Sequence, residues 1–499
     1  MTHLVRAADW ILSGIGTGMI LFVAYLAATH GWAPHYVVLG LMGLGLVATR
    51  WLNPAAKINL ALVVLFSVLS LYAGELLLAF TASARANFER NRWLTFPNDA
   101  TPESTQARLK EDSTAKPSFD RRDKLQVIAD LEREGRPAYP AVVPHAVLTW
   151  DNPDSMRTLR ALSIDGEETL PLGGVANVLT VFCNESGEYV TYHSGEHGFH
   201  NPPGLWTDDR PAVVAVGDSF THGACVPTED SFVGVIRARH PRTINLGMDA
   251  NGPLMMLASL KEYGARVRPK TVLWFYFEQN DLKDLEHERH SPLLGRYLTG
   301  GYSQSLWDRQ EKIDQALKAY IEQTRQGLGT PIGLEETIKL HHVRQIATRW
   351  LAGRQEVDAV RVSELYFSAE VTEEEMQQFR DVLVEAMTTV RGWGGELHFV
   401  YLPEWARYAK PEVADKNRER VLRLVADLKL PLIDLHPVFA GHPDPVGLFP
   451  FRRSNHYNVA GHRLVGEAVL RALQETEAGA QTIPPRSSAG GTSLNTGLL

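Results

Sequence analysis

The 499-residue chain has only two cysteines, Cys183 and Cys225. A zinc site built on thiolates needs more than two, so none is expected. The two cysteines either pair in a disulfide, if this part of the chain is exported, or serve as two separate small hydrophobic residues. The net charge of −8 shows no excess of lysine and arginine, which excludes the electrostatic footprint of a nucleic-acid-binding protein.

Metal and cofactor signals are also lacking. His193, His197 and His200 have a spacing that metal ligands can have, but Gly195 and Gly198 interrupt any helix that would align them. No metal site is therefore predicted, and no motif for a cofactor is found.

The first 80 residues are far more apolar than the rest of the chain. Residues 10–29, 31–49 and 58–74 contain no Asp, Glu, Lys or Arg, and the third stretch continues past Glu75 to Phe80. Each is about as long as a helix that crosses a bilayer. A signal peptide would show one short apolar run, so we predict three transmembrane helices within residues 1–80.

The positions of Arg and Lys predict the orientation of these helices. Arg6 precedes the first stretch, and Arg50 and Lys57 lie between the second and the third. The positive-inside rule then predicts a multi-pass protein of the cytoplasmic (inner) membrane, with everything after Phe80 outside the cytoplasm. Glu75 is interpreted either as a paired or protonated carboxylate near the outer interface or as a contact for a partner within the membrane.

The remaining chain separates by composition. Residues 81–140 are polar and predict a linker, and residues 141–210 predict a small β-rich segment. Residues 211–476 alternate apolar strands with amphipathic helices, which indicates a parallel sheet covered on both faces. This α/β domain is interrupted by a helical insertion at about 285–368, a candidate surface for envelope-assembly partners, and residues 477–499 predict a disordered tail.

The strongest functional signal is VVAVGDSFTHG over residues 213–223. An apolar strand ends at Gly217-Asp218-Ser219, and a helix begins directly afterwards. Ligand sites in open α/β sheets lie at the carboxyl ends of the strands. Backbone N–H groups at the start of the helix could stabilise an oxyanion beside the Ser219 hydroxyl, and Asp218 could hold the turn by accepting hydrogen bonds from backbone amides.

At this motif the chain resembles the SGNH (GDSL-type) hydrolases, a family with four short sequence blocks. Gly217-Asp218-Ser219 matches the first block, and Asn-Leu-Gly-Met over residues 245–248 matches the second. The resemblance implies a three-layer α/β/α fold, SGNH/flavodoxin-like, in which Ser219 is the nucleophile. It also implies that the backbone N–H of Gly247 contributes to an oxyanion hole.

The third and fourth blocks match in part. The third, Gly-x-Asn-Asp in the family, begins here with Glu278, which would narrow the pocket or add a charge to it. Its Asn280 would donate to the oxyanion. The fourth, Asp-x-x-His, ends here in His456, the implied base, but Arg453 stands where the family has its acid. A backbone carbonyl could orient His456 instead, giving a dyad, or Asp434 at the end of the preceding strand could be the acid.

The resemblance and the membrane segment together predict a membrane-anchored serine esterase or O-acyltransferase. Its substrate would be an ester, an O-acetyl ester included, of a cell-envelope or exported polysaccharide. The alternative is a catalytically degenerate SGNH scaffold that binds a glycan or an envelope-assembly partner.

Overall fold

The computed structural model describes residues 2–30, 35–90, 120, 122–147, 162–207, 209–327, 343, 370–412 and 416–481. These residues divide into two units, one formed by residues 1–90 and 327–356 and the other by residues 91–326 and 357–499. Residues 91–119 of the predicted linker, most of the predicted insertion beyond residue 327, and the tail after residue 481 lie outside the described residues.

The first unit contains three helices, α1 (Thr2–His30), α2 (His35–Ala48) and α3 (Pro54–Arg90). Helices α1 and α2 approach closely at Gly16, where a Cβ atom would lie 2.6 Å from the carbonyl oxygen of Gly43. Helices α1 and α3 are joined by an ion pair between Asp9 and Lys57 at 2.9 Å. Close approach at glycines, the Asp9–Lys57 ion pair and a small apolar cluster around Leu12 and Ala61 therefore join the described helices.

The prediction of three membrane spans needs correction. Among the described residues, two helical segments, His3–Tyr25 and Pro54–Leu76, are long and apolar enough to cross a membrane. Helix α2 has only 14 residues, about 21 Å at the α-helical rise, which is less than the hydrocarbon core of roughly 30 Å. Because the predicted orientation rested on three spans, it no longer follows from the sequence alone.

Glu75 is fully buried in the first unit. Its Oε2 accepts a hydrogen bond of 2.8 Å from the backbone N–H of Val343, in the part of the insertion that belongs to the same unit. The carboxylate is therefore paired within the chain, as one of the two interpretations of Glu75 expected.

The second unit begins with short strands. A three-stranded sheet has the order β1-β4-β5, and a separate hairpin pairs β2 with β3. The strands are β1 (Ala138–Pro140), β2 (Leu162–Ile164), β3 (Glu167–Thr169), β4 (Leu179–Val181) and β5 (Thr191–His193). The end of the predicted linker also packs here, because Val127 and Ile128 form a buried cluster with Leu179 and Val181.

The main sheet of the second unit has five strands in the order β10-β9-β8-β6-β7. Every pair in it is parallel, as the sequence predicted. The strands are β6 (Val213–Val216), β7 (Thr243–Asn245), β8 (Thr271–Phe277), β9 (Glu396–Leu402) and β10 (Leu432–Asp434). The strand order reverses between β6 and β8, and in such sheets ligands bind outside the carboxyl ends of the strands at this switch point.

Helices cover both faces of the main sheet. In β8, Trp274 and Tyr276 face one hydrophobic core, while Phe275 and Phe277 face the other. The described helices of this unit are α4 (Lys124–Arg133), α5 (Ser219–His222), α6 (Phe232–Arg239), α7 (Pro253–Ser259, followed by a π-helical turn, Leu260–Gly264, and a short helix, Ala265–Val267), α8 (Asp281–Glu288), α9 (Pro292–Gly295), α10 (Gln310–Gly327), α11 (Glu373–Gly392), α12 (Ala406–Ala409), α13 (Arg418–Asp427), α14 (His436–Ala440) and α15 (Val459–Gln481). The α/β/α layering predicted from the sequence is confirmed in these residues.

Candidate active site

Ser219 lies at the first position of α5, immediately after β6. Asp218 caps this helix, and its Oδ1 accepts a hydrogen bond of 3.0 Å from the backbone N–H of Phe220. Gly217 is required by close packing, because a Cβ atom there would lie 2.0 Å from Thr221 Oγ1. The turn therefore places the Ser219 hydroxyl at the switch point of the sheet.

The structure brings Ser219 and His456 together across 237 residues of sequence. The distance from Ser219 Oγ to His456 Nε2 is 2.7 Å, which is within hydrogen-bonding range. His456 lies on the loop before α15, and the ring of Phe220 packs 4.8 Å from the imidazole. The next residue, Tyr457, anchors this loop by donating its hydroxyl to the carbonyl of Pro403 at 2.6 Å.

The other imidazole nitrogen of His456 contacts a carboxylate that the sequence analysis did not identify. His456 Nδ1 lies 2.7 Å from Oε1 of Glu185, whose side chain is fully buried. Glu185 lies on the loop after β4, in the segment that precedes the α/β domain. Ser219, His456 and Glu185 thus form a hydrogen-bonded chain with the geometry of a nucleophile, a base and an orienting acid.

Asp434, the acid considered from the sequence, does not occupy this position. Its Oδ2 pairs with the guanidinium of Arg418, and its Oδ1 accepts from the backbone N–H of His436 at 3.1 Å. The alternative of a backbone carbonyl is also not what the structure shows, because Glu185 takes the Nδ1 side of the imidazole.

The environment of His456 favours its protonated form. Burial by itself lowers the pKa of this histidine, but the charge and the hydrogen bond of Glu185, together with the charges of Asp249 and Asp218, outweigh burial and raise the pKa to about 9. A general base must be neutral to accept a proton. With this raised pKa, His456 would be fully active as a base only on the alkaline side of neutrality.

Several carboxyl groups lie near the nucleophile turn. Burial raises the pKa of Asp218 to about 7, although the nearby imidazole of His456 opposes the shift. Burial, with repulsion by the charge of Asp218, also raises the pKa values of Asp281 and Asp284 well above the usual range. These acids hold protons at a pH at which exposed carboxyls are ionised.

Two groups beside the switch point are candidate donors to an oxyanion. The backbone N–H of Ser219 starts a helix and has no acceptor among the described residues. Asn280 follows β8 on the other side of the switch point, and its side chain makes no hydrogen bond to the start of α8. Its buried Oδ1 lacks a partner among the described residues, and its Nδ2 is the atom that could donate to an oxyanion.

Gly247 is close to the nucleophile turn but does not fit its predicted role as well. A Cβ atom at this position would lie 2.6 Å from the backbone nitrogen of His222, which explains the need for glycine. The N–H of Gly247, however, donates to Asn245 Oδ1 at 2.8 Å. This donor is therefore already engaged in the structure.

Glu278 replaces the first glycine of the third block, and its carboxylate is bound to neighbouring groups. It pairs with the guanidinium of Arg407, which donates from Nε at 2.9 Å, and it accepts from Tyr401 and from the backbone N–H of Glu404. The pair ties β8 to the chain segment after β9. We find a structural ion pair here, where the sequence had suggested a narrowed or charged pocket.

Cys183 and Cys225 form a disulfide with a Cα–Cα distance of 5.2 Å. The histidines with metal-like spacing have other contacts: His197 Nδ1 lies 3.2 Å from Gln310 Oε1, and His200 bonds the carbonyl of His222 at 2.8 Å. Among the residues that the structure describes, no group of three or more His, Cys, Asp or Glu side chains could hold a metal ion.

Comparisons with known proteins give similarity at the level of solved structures. A protein assigned to the G-D-S-L lipolytic family, from Desulfitobacterium hafniense DCB-2, aligns with a TM-score of 0.28 and 15% identity, covering 52% of this chain and 98% of the other. The lipase/acylhydrolase of Enterococcus faecalis aligns with a TM-score of 0.29 and 14% identity over 53% of this chain and 95% of the other. A catalytic mutant of Axe2, an acetylxylan esterase from Geobacillus stearothermophilus, has a TM-score of 0.27 and 12% identity over 53% and 94%.

No family profile matches the chain, and no curated protein matches it. Similarity at these TM-scores and identities does not establish a shared family or activity. The function of this chain must therefore be inferred from its own side-chain geometry.

Proposed function

We propose that this chain is a membrane-anchored serine esterase or O-acyltransferase. Its substrate is an ester, such as an O-acetyl group, of a cell-envelope or exported polysaccharide. The observation that carries the proposal is the run of two 2.7 Å hydrogen bonds from Ser219 through His456 to Glu185. A buried serine alone would be unremarkable, but a serine bonded to a carboxylate-oriented imidazole is the arrangement that activates a hydroxyl nucleophile.

The mechanism follows from the positions of these groups. His456 Nε2 accepts the hydroxyl proton while Ser219 Oγ bonds to the ester carbonyl carbon, and Glu185 stabilises the resulting imidazolium. The carbonyl oxygen becomes an oxyanion, for which the Ser219 N–H and the Asn280 side chain are the proposed donors. His456 then gives its proton to the departing alkoxide as the carbon–oxygen bond breaks, which leaves an acyl-enzyme.

The second half of the reaction determines whether the acyl group is hydrolysed or transferred. Water or an acceptor hydroxyl loses its proton to His456 and attacks the acyl carbon, after which Ser219 recovers its proton from His456 and leaves. Water yields a free acid, whereas a sugar hydroxyl yields a new ester. The same side chains perform both reactions, so acceptor binding decides between them.

The disulfide and the apolar helices support a location in which the chain is anchored in the cytoplasmic membrane and its second unit lies outside the cytoplasm. Disulfides persist in oxidising compartments outside the cytoplasm, and the Cys183–Cys225 bond lies in the second unit, next to Ser219 and Glu185 in sequence. The two candidate spans support anchoring in the cytoplasmic membrane. Esters of exported polysaccharides are substrates that an enzyme tethered outside the cytoplasm can reach.

The degenerate-scaffold alternative rested on the missing acid at Arg453. The carboxylate of Glu185 takes that role in the geometry, so the main reason to expect lost turnover is removed.

The test is an esterase assay of the full chain, purified in detergent, on short-chain p-nitrophenyl esters and acetylated sugars. Ser219→Ala is expected to remove activity, whereas Ser163→Ala, at an exposed position on β2, serves as the matched control and is expected to retain it. Mass analysis of added acceptor sugars separates transfer from hydrolysis. Full esterase activity in Ser219→Ala would refute the proposed function.

A further inference from the structure

The loop of residues 183–187, here called the acid loop, carries Glu185 but does not belong to the main sheet. It follows β4 of the small sheet, whereas Ser219 and His456 are positioned by the main sheet and its helices. The distance between Glu185 and His456 therefore depends on whatever fixes the acid loop to the nucleophile turn.

The carboxylate of Glu185 has little else to orient it. Oε1 bonds His456, while Oε2 is buried without a hydrogen-bond partner among the described residues. A carboxylate that orients a catalytic histidine is usually fixed in turn by hydrogen bonds from neighbouring groups. Here the backbone of the acid loop has to set its direction.

Hydrogen bonds hold the acid loop on its outer side. Asn184 Oδ1 accepts from the Gly187 N–H at 2.9 Å, and Asn184 Nδ2 donates to the Asp120 carbonyl at 3.0 Å. The Asp120 N–H in turn donates to the Gly187 carbonyl at 2.7 Å. These bonds join the loop to itself and to the segment before α4. Phe182 and Tyr192, on either side of the loop, contact His222 at the end of α5, at 4.1 Å between rings and 2.9 Å from hydroxyl to Nε2, but neither is a residue of the acid loop.

The disulfide reaches the nucleophile turn from the acid loop itself. Cys183 lies two residues before Glu185, and Cys225 lies six residues after Ser219, just beyond α5. Both cysteines are buried in one small cluster with Phe182, Tyr192 and Ala224. The bond therefore links the segment that bears the acid to the segment that bears the nucleophile.

We propose that the Cys183–Cys225 disulfide positions Glu185 against His456, and that it is therefore part of the active-site framework in addition to stabilising the fold. This inference rests on the proposed function and deepens it. Without the bond, the acid loop keeps its outer hydrogen bonds but loses its covalent tie to the nucleophile turn. Glu185 then moves away from the imidazole, and His456 loses the partner that favours its protonated form.

The test uses the full chain carrying Cys183→Ala and Cys225→Ala together, so that neither thiol is left free. The midpoint of the rise in kcat with pH is expected to move down by about one pH unit or more, toward the ordinary histidine range. kcat above this midpoint is expected to fall while KM changes little, because Glu185 orients the base and does not bind substrate. Adding Glu185→Gln to this variant is expected to shift the midpoint no further.

A stability control separates positioning from general loosening. Val382→Ala truncates a buried side chain of α11 in the core that contains Trp274, away from the cysteines. It is expected to lower the unfolding temperature without moving the midpoint of the rise in kcat with pH. If the disulfide only stabilised the fold, its removal would likewise lower the unfolding temperature without moving this midpoint. A lower unfolding temperature with an unchanged midpoint in the double cysteine variant would overturn the inference.

A second readout keeps this result separate from failure of the proposed function. The titration of His456, assigned by comparison with His456→Gln, can be followed by NMR of labelled histidine without any turnover. If Ser219→Ala retains esterase activity, the proposed function fails, yet the titration still reports whether removal of the disulfide lowers the pKa of His456. An unchanged titration would overturn the positioning role on its own.

Discussion

His456 Nδ1 lies 2.7 Å from Oε1 of Glu185, a residue 271 positions earlier in the chain. This contact provides the acid that the fourth sequence block lacks at Arg453. It also contributes the largest of the effects that raise the pKa of the His456 imidazole, which together with the charges of Asp249 and Asp218 outweigh the opposing effect of burial. The acid is thus contributed from outside the α/β repeat.

Replacing this carboxylate by its neutral isostere should affect both rate and pH dependence. Glu185→Gln is expected to lower kcat by roughly 10²–10⁴-fold, since an amide neither fixes the tautomer nor stabilises the imidazolium. The alkaline rise in activity, set by a His456 pKa of about 9, should move to lower pH because burial then dominates. Steady-state kinetics between pH 5 and 10 measure both effects.

Asp434→Asn is the matched control for this substitution, because Asp434 is bound to Arg418. It should leave the pH profile unchanged. If Asp434→Asn moved the profile and Glu185→Gln did not, the assignment of the acid would be wrong.

The Glu278–Arg407 pair should matter for stability. Glu278→Gly restores the glycine that the third block has in the family, but it leaves the largely buried guanidinium of Arg407 without this carboxylate. Breaking a buried pair in this way costs about 3–5 kcal/mol. We therefore expect a lower thermal unfolding midpoint in Glu278→Gly, measured by scanning fluorimetry of the full chain.

An exposed pair provides the control. Glu373, on α11, pairs with Arg420 at 2.7 Å but is almost fully exposed, so Glu373→Gln should change stability by less than about 1 kcal/mol. The narrowed-pocket interpretation predicts the reverse for Glu278→Gly, namely a gain in activity with no loss of stability.

Local sequence patterns were sufficient to predict the main sheet and the nucleophile turn. The continuous apolar run of β8 and the Gly-Asp-Ser turn predicted a parallel sheet with Ser219 at its carboxyl edge, because burial on both faces and strand-to-helix turns leave local signals. Glu185 left no such signal. It lies on a loop of a small separate sheet, and its pairing with His456 depends on tertiary packing that no spacing rule encodes.

Two further differences have the same origin. Glu278 was interpreted by its place in a motif, but its partner Arg407 comes from a helix that follows a later strand, and this contact changes its role. The apolar stretch at residues 31–49 looked long enough to span a bilayer, but α2 covers only 14 residues of it. Composition reports hydrophobicity and does not fix where a helix begins or ends.

Stability should respond to pH in the direction opposite to activity. The pKa of His456 is raised to about 9, and the pKa values of Asp281 and Asp284 are raised well above their usual range. The folded state therefore holds protons that the unfolded chain has released at neutral pH, so stability falls as pH rises. Buried His200 and His222 have lowered pKa values, and their contribution opposes this fall up to about pH 6.5.

Because the opposing contribution of the histidines ends at about pH 6.5, we expect stability to decline between about pH 6.5 and 8. Activity should rise over the same interval. Unfolding temperatures of the full chain across this range, with His456→Gln as the variant that should decline less steeply, provide the measurement. An unfolding temperature that increases from pH 6.5 to 8 would contradict the assigned protonation states.

The central claim, that His456 and Glu185 activate Ser219 as a nucleophile, is tested most directly by labelling the full chain with a fluorophosphonate probe and locating the adduct by peptide mass spectrometry. We predict a single phosphonylated serine, Ser219, with labelling abolished in Ser219→Ala and strongly slowed in His456→Ala. The claim would be contradicted if Ser219 remained unlabelled in the folded wild-type chain. It would also be contradicted if Ser219 were labelled at the same rate in His456→Ala as in the wild type.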